Sequence, residues 1–243
     1  MIDILAAFQF LTIFPPIIKR SFTTKELGRS VAYYPLVGLA VGGVLYGAAI
    51  WLGLFFPALV VTAVILFLWI TITRAIHLDG FLDTCDGLFG GFTQEKRLLI
   101  MRDSHVGAFA LVGGGVLLIS MFAAIISTEQ LLGSLLLAPV LGRWSLSFAL
   151  TAFPYARKEG MGREIKDNSR WPQLLLASLI TLAVAWFVAH WLGILIFGLV
   201  FVFCFLWFRY VLRLIPGLTG DIYGATCVLT ELLVLIFFSG NFV

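Results

Sequence analysis

The residues best suited to chemistry are gathered in one stretch, His77-Leu78-Asp79-Gly80-Phe81-Leu82-Asp83-Thr84-Cys85-Asp86-Gly87. On a helix Asp79, Asp83 and Asp86 fall at i, i+4 and i+7, which at about 100° per residue confines them to roughly 60° of arc. Three carboxylates on one face repel one another, each pair by up to about 3 kcal/mol at about 5 Å and an effective dielectric near 20. No Lys or Arg lies inside the cluster to offset this, so the spacing predicts a bound cation. Hard carboxylate oxygens favour Mg²⁺, Mn²⁺ or Ca²⁺, and Mg²⁺ is the usual companion of a substrate phosphate. Gly80 and Gly87 read as openings through which a bulky ligand reaches the backbone. His77 falls on the opposite side of such a helix, where packing or capping suits it as well as ligation. A solvated helix end, the competing description, suits a lone aspartate better than three in register.

Other stretches could act with this cluster. Met101-Arg102-Asp103-Ser104-His105-Val106-Gly107 brings a cation, a fourth carboxylate and a hydroxyl to the start of an apolar run. A helix beginning there either receives a phosphate or is simply capped by Asp103 or Ser104. The basic loop from Pro154 to Arg163 carries Arg157, Lys158, Gly160 and Gly162 and could fold over a nucleotide phosphate. Thr219-Gly220-Asp221 opens the last apolar segment and either completes a metal site or caps a helix. Arg143 and Glu231 lie roughly 15 Å inside apolar runs at about 1.5 Å per residue. Ionisable groups at that depth are expensive and usually functional; the structural alternative is that the two pair, locking their helices together.

The elements that must position these residues are apolar helices. Of 243 residues, 61% are hydrophobic and 12% charged, with a mean hydropathy of +1.06, against about 25% charged in a soluble domain. Segments of about 20 mostly apolar residues, enough to span a bilayer, recur at 31–56, 58–76, 108–127, 131–153, 172–190, 194–215 and 221–238. The fold class expected is therefore all-α, a polytopic helical membrane bundle of about seven transmembrane helices forming one domain over residues 1–243. Residues 2–14 are too short to span and end at Pro15-Pro16, which suits an interfacial or re-entrant helix. They lack a basic leader and a small-residue cleavage pattern, so no signal peptide is expected.

Lys and Arg alternate with these segments. Lys19, Arg20, Lys25 and Arg29 precede the first; Arg74, Lys96, Arg97 and Arg102 lie between the second and third; Arg157, Lys158, Arg163, Lys166 and Arg170 lie between the fourth and fifth; Arg209 and Arg213 close the sixth. The other connections carry none. The positive-inside rule then puts the N-terminus and the acidic cluster on the cytoplasmic side. The net charge of +3 is spread through topology rather than gathered in a patch, so nucleic-acid binding is not expected. Cys85, Cys204 and Cys227 have no metal-site or disulfide spacing and read as packing residues.

These blocks together resemble the membrane-bound cobalamin synthases, the adenosylcobinamide-GDP ribazoletransferases. The resemblance is carried by Tyr34-Pro35-Leu36-Val37-Gly38, the His77 to Gly87 cluster, Met101-Arg102-Asp103-Ser104, Gly142-Arg143-Trp144, Tyr155-Ala156-Arg157 with Gly160 and Gly162, and Thr219-Gly220-Asp221 with Gly224 and Ala225. Phe81 stands where leucine, and His105 where arginine, is common in that family. The resemblance implies an enzyme of a prokaryotic inner membrane that closes the cobalamin nucleotide loop. Alpha-ribazole or its 5'-phosphate attacks adenosylcobinamide-GDP, GMP leaves, and adenosylcobalamin or its 5'-phosphate forms. It further implies Mg²⁺ on Asp79, Asp83 and Asp86, substrate binding by Arg102, Ser104, Arg143, Arg157 and Thr219, and a base among Asp86, Asp103 and Asp221. A homo-oligomer is compatible with it.

Other membrane classes share parts of this pattern. CDP-alcohol phosphotransferases expel CMP from a similar bond, though their fuller motif is not matched. Intramembrane prenyltransferases use a second Asp-rich motif, where this chain has only Asp221. An ion or metabolite transporter would use Arg143 and Glu231 as its transport site, but the outer half holds only Glu129 and His190 besides.

Overall fold

The computed structural model describes residues 1–240. The described chain is helical, with no strand beyond one isolated bridge between Tyr155 and Leu218. Helix α1 (Ile2–Leu11) stops before the paired prolines, and the Ile13 amide donates to Ile72 O at 2.8 Å, fastening this short helix to the end of α4. Helix α2 (Thr24–Ser30) begins with a reciprocal capping box between Thr23 and Glu26, which satisfies two otherwise orphan amides. A short 3-10 turn leads into α3 (Tyr34–Gly53). Then follow α4 (Ala58–Ile72), α5 (Ile76–Gly90), α6 (Gln94–Ile100), α7 (Ala108–Ser127), α8 (Leu131–Ala152), α9 (Met161–Asn168), α10 (Trp171–Leu214) and α11 (Gly220–Ser239).

Among the described residues five helices are long and apolar enough to cross a membrane, and the α4–α5 pair, bent by 88°, has the form of a broken span or a re-entrant loop. The 44-residue α10 is itself double. Ala189 and His190 leave helical backbone geometry, His190 with φ +48°, and Gly193 packs against the backbone of Ala185, an approach that only a fold-back permits. Trp144 of α8 accordingly touches both legs, donating to Ser178 Oγ at 2.9 Å and packing its ring 4.6 Å from Phe197. Counting the two legs of α10 separately and the α4–α5 pair as one, up to seven segments could span a bilayer, and the chain is a multi-pass membrane protein. Large apolar side chains such as Phe67, Leu111, Ile119 and Phe187 are exposed on the outside, as expected where the bilayer is the solvent.

Helix α8 runs through the centre and is buried along almost its whole length. Gly38 of α3 lies directly against the backbone at Pro139, because small residues let membrane helices approach closely. Trp144, Phe148, Phe153, Phe201 and Phe208 fill the seam between α8 and the second leg of α10.

The two ends of the bundle differ. At one end the basic segments converge: Gly28 lies against Asn168, Arg97 donates to Leu214 O at 3.2 Å, and Arg157 approaches Met101 O. At the other end Thr128 caps Phe238 O and Gly133 packs on the Phe238 ring, with no Lys or Arg in those connections.

Candidate active site

The break between α4 and α5 positions the acidic residues. Arg74 and Ala75 both adopt left-handed backbone, with φ of +56° and +54°, a conformation costly for residues with a Cβ. The helix therefore restarts at Ile76 on a new axis, with Asp79, Asp83 and Asp86 all on α5. Exposure falls along the row, from exposed Asp79 through half-buried Asp83 to buried Asp86. All three line one cavity of about 290 Å³, together with Arg102, Asp103, Ser104 and His105.

Gly80, which lines the 330 Å³ cavity described below, and Gly87 also serve a purpose beyond the ligand access expected of them. A Cβ on Gly80 would lie 2.8 Å from Asp221 O and 3.2 Å from Gly224 Cα, and one on Gly87 would strike Met101. Both are helix contact points. The first lets α5 cross the start of α11, and that crossing brings Asp221 to the aspartate row.

Asp86 is engaged by the protein. Its two carboxylate oxygens accept the amides of Gly107 at 2.6 Å and Ala110 at 2.9 Å. These are the cap and the third residue of α7, so a side chain 21 residues away supplies the cap expected from Asp103 or Ser104. The negative charge also opposes the positive helix end. Asp103 instead accepts from His105, backbone at 3.1 Å and ring at 2.6 Å, on the exposed rim. That hydrogen bond, with the opposite charges, holds the Asp103 carboxyl below and the His105 imidazole above their usual ranges.

Asp79 and Asp83, by contrast, receive no hydrogen bond from any described residue. Asp83 stands within electrostatic reach of Asp221, Asp79, Arg157 and Asp86. No group of three or more His, Cys, Asp or Glu side chains converges closely enough among the described residues to form a complete protein shell for a metal. The donors on the cavity are hard carboxylate oxygens with unspent lone pairs. This fits Mg²⁺, which keeps several waters and is bound through one or two carboxylates plus substrate phosphate.

On the far side of Asp79 lies a second cavity of about 330 Å³, lined also by Arg157, Asp221, Tyr155, His77 and Gly160. The Tyr155 loop is stapled to the α10–α11 connection by Ala156 N to Leu218 O and Leu218 N to Pro154 O, both 2.8 Å. This staple carries Arg157 to Asp221, which it meets at 2.6 Å with both side chains 17% exposed. Thr219 caps α11, accepting from the Ile222 amide at 3.3 Å, and its hydroxyl lies 3.2 Å from the Asp221 carboxylate. Thr219 is fully buried and lines none of the cavities here, so it orients Asp221 rather than meeting a ligand. A third cavity of about 380 Å³ joins Arg102 to Arg157 and Lys158. Asp79, Arg102 and Arg157 thus each border two of three neighbouring cavities.

Arg143 is absent from this ring. It is fully buried and forms an ion pair with Glu231, which also accepts from the Trp69 indole at 3.3 Å. Of the two readings of these residues, the geometry is that of the pair. It links α8 to α11, and a sealed pair of this kind offers no open transport site.

Tyr34 and Tyr223, inside the second cavity, are the site-lining residues that spacing and charge did not single out. The available signal was a tyrosine within an apolar span, whose hydroxyl must find a partner when buried.

The comparisons with known proteins identify the family. The family model described as cobalamin-5-phosphate synthase matches residues 3–239. The chain belongs to that family. The adenosylcobinamide-GDP ribazoletransferase of Desulfitobacterium hafniense is 40% identical over 237 residues, covering 95% of this chain and 93% of its own. Its counterpart from Desulforamulus reducens is 37% identical over 225 residues, 90% and 88% of the two chains. That of Pseudomonas paraeruginosa is 38% identical over 242 residues, 96% of each. No solved structure matches the chain.

Proposed function

We propose that this family member transfers the adenosylcobinamide-phosphate moiety of adenosylcobinamide-GDP to alpha-ribazole or its 5'-phosphate, releasing GMP, with Mg²⁺ as cofactor. The observation that carries the reading is the meeting of one acidic helix face with Arg102, Arg157 and Asp221 around contiguous cavities, in a chain of this family. Asp79 and Asp83 would hold the metal, with the remaining lone pairs of Asp86 beside them; the cation supplies charge neutralisation on the pyrophosphate.

The residues divide the remaining work. Arg102 and Arg157 hold phosphate oxygens and stabilise the departing GMP. The attacking ribose hydroxyl forms its bond to the phosphorus that bears adenosylcobinamide, the bond from that phosphorus to the GMP oxygen breaks, and the hydroxyl proton passes to a carboxylate. Of the three aspartates expected to supply the base, Asp221 is best placed. Asp86 is spent on two amides and Asp103 on His105, whereas Asp221 borders the cavity with Arg157 on only one of its oxygens. Ser104 stands at the mouth of the aspartate cavity as a phosphate donor. The Lys and Arg distribution supports a cytoplasmic position for this end and the N-terminus, at an inner membrane.

The test is direct. Purified protein given adenosylcobinamide-GDP, alpha-ribazole and Mg²⁺ releases GMP, chelation stops it, and added Mg²⁺ restores it. Turnover unaffected by a chelator would end the metal assignment.

A further inference from the structure

Behind the charged rim, the 330 Å³ cavity continues inward as an aromatic slot that phosphate chemistry does not use. The Phe10 and Tyr34 rings stack at 6.4 Å along one part of it, and the Tyr155 and Tyr223 rings lie 5.9 Å apart along another. Leu146 and Leu150 complete the wall. The Tyr223 hydroxyl, on a residue only 6% exposed that lines this slot, has no hydrogen-bond partner. The buried Tyr34 hydroxyl lies beside Ser30, whose own hydroxyl donates to Leu27 O at 2.7 Å and keeps lone pairs to accept from Tyr34. His77 Nε2 is also unpartnered, on a residue that borders this slot and a void of about 20 Å³ near Trp69 and Glu231. Leaving a buried polar atom unsatisfied costs about 1–3 kcal/mol. The Tyr223 hydroxyl and His77 Nε2, beside these rings, mark where a ligand brings polar partners.

The chemistry of the slot discriminates among the bodies that the reaction brings. A corrin macrocycle is too large for it. Guanine carries donors and acceptors around most of its edge, which suits the charged part of the lining, Asp79, Arg157, Glu159 and Asp221, rather than the rings. A benzimidazole base is planar, hydrocarbon over most of its edge, and keeps one ring nitrogen free to accept a hydrogen bond when the other bears ribose. We propose that the slot seats the acceptor nucleoside. Its base lies among the four aromatic rings, its ring nitrogen accepts from the Tyr223 hydroxyl, and its ribose is presented at the mouth beside Asp79 and Asp221. This assignment rests on the reaction proposed above.

Steady-state kinetics on the full-length protein in detergent, varying each substrate in turn, tests it. Tyr223→Phe raises KM for alpha-ribazole by about fivefold to tenfold, the worth of roughly one net hydrogen bond, and leaves KM for adenosylcobinamide-GDP within twofold. Free dimethylbenzimidazole competes against alpha-ribazole and not against adenosylcobinamide-GDP. Unchanged alpha-ribazole KM in this variant, or a rise confined to adenosylcobinamide-GDP, would overturn the seat while leaving the reaction intact. A wild-type protein that turns over neither substrate would remove both.

Discussion

The molecule holds charge inside a helical bundle in two places, and it does so in opposite ways. At mid-bundle, Arg143 and Glu231 meet each other with the Trp69 indole alongside, closed off from every cavity of the site. At the basic end, Asp79 and Asp83 share a cavity with further carboxylates and have no hydrogen bond of their own. Burying a charge is tolerable when protein neutralises it, and otherwise requires something the protein does not contain. The first arrangement joins helices; the second leaves an electrostatic demand that a cation and a phosphate can meet.

The largest effect separating the two regions concerns activity. Asp83→Ala should lower GMP release by at least about a hundredfold, the scale of losing one electrostatic contact to the reacting group, with thermal unfolding barely altered. A parallel loss of folded protein would mean that Asp83 is structural as well. Stability should respond in the opposite sense at mid-bundle: Arg143→Met or Glu231→Leu alone costs about 3–5 kcal/mol by stranding a buried charge. The double substitution recovers most of that loss. Two singles that simply add would show that the pair is not a unit, and detergent melts of all four proteins decide the matter.

Asp86 sits between these extremes, since it belongs to the acidic row yet is bonded like a structural residue. Asp86→Ala should destabilise by about 1–2 kcal/mol, the value of an N-cap, and Asp86→Asn by less, because the amide oxygen still accepts one N–H. The smallest effect is at the rim. The Asp103–His105 contact has both partners charged between the ordinary carboxylate value of 3.8 and the ordinary imidazole value of 6.5. It weakens as pH falls through the lowered pKa of Asp103, and as pH rises through the raised pKa of His105. Imidazole chemical shifts should follow that window, and Asp103→Asn should return His105 to an ordinary titration.

Local periodicity carried much of this in the sequence. The spans, the fold-back between 190 and 194, and the common face of the three aspartates depend on neighbours within a turn or two. What stayed hidden depends on tertiary approach. Gly80 looked only like access for a ligand because nothing local says that α11 crosses there. The capping of α7 looked like the work of Asp103 or Ser104 because Asp86 reaches it only after α5 packs on α7. Arg143 and Glu231 were recognisable as unusual, but 88 residues separate them, and only the packing of α8 on α11 decides between pairing and ligand contact. Tyr223 drew no notice at all, since an apolar span tolerates a tyrosine without comment until its hydroxyl is found alone.

The fastening of Asp86 to the first turn of α7 acts as a ruler. Sliding α5 by a single turn would tear both amides from their acceptor, so the height at which Asp79 and Asp83 stand is set by a neighbouring span as well as by the break that precedes them. Drift in that break is thereby resisted before it reaches the reacting atoms.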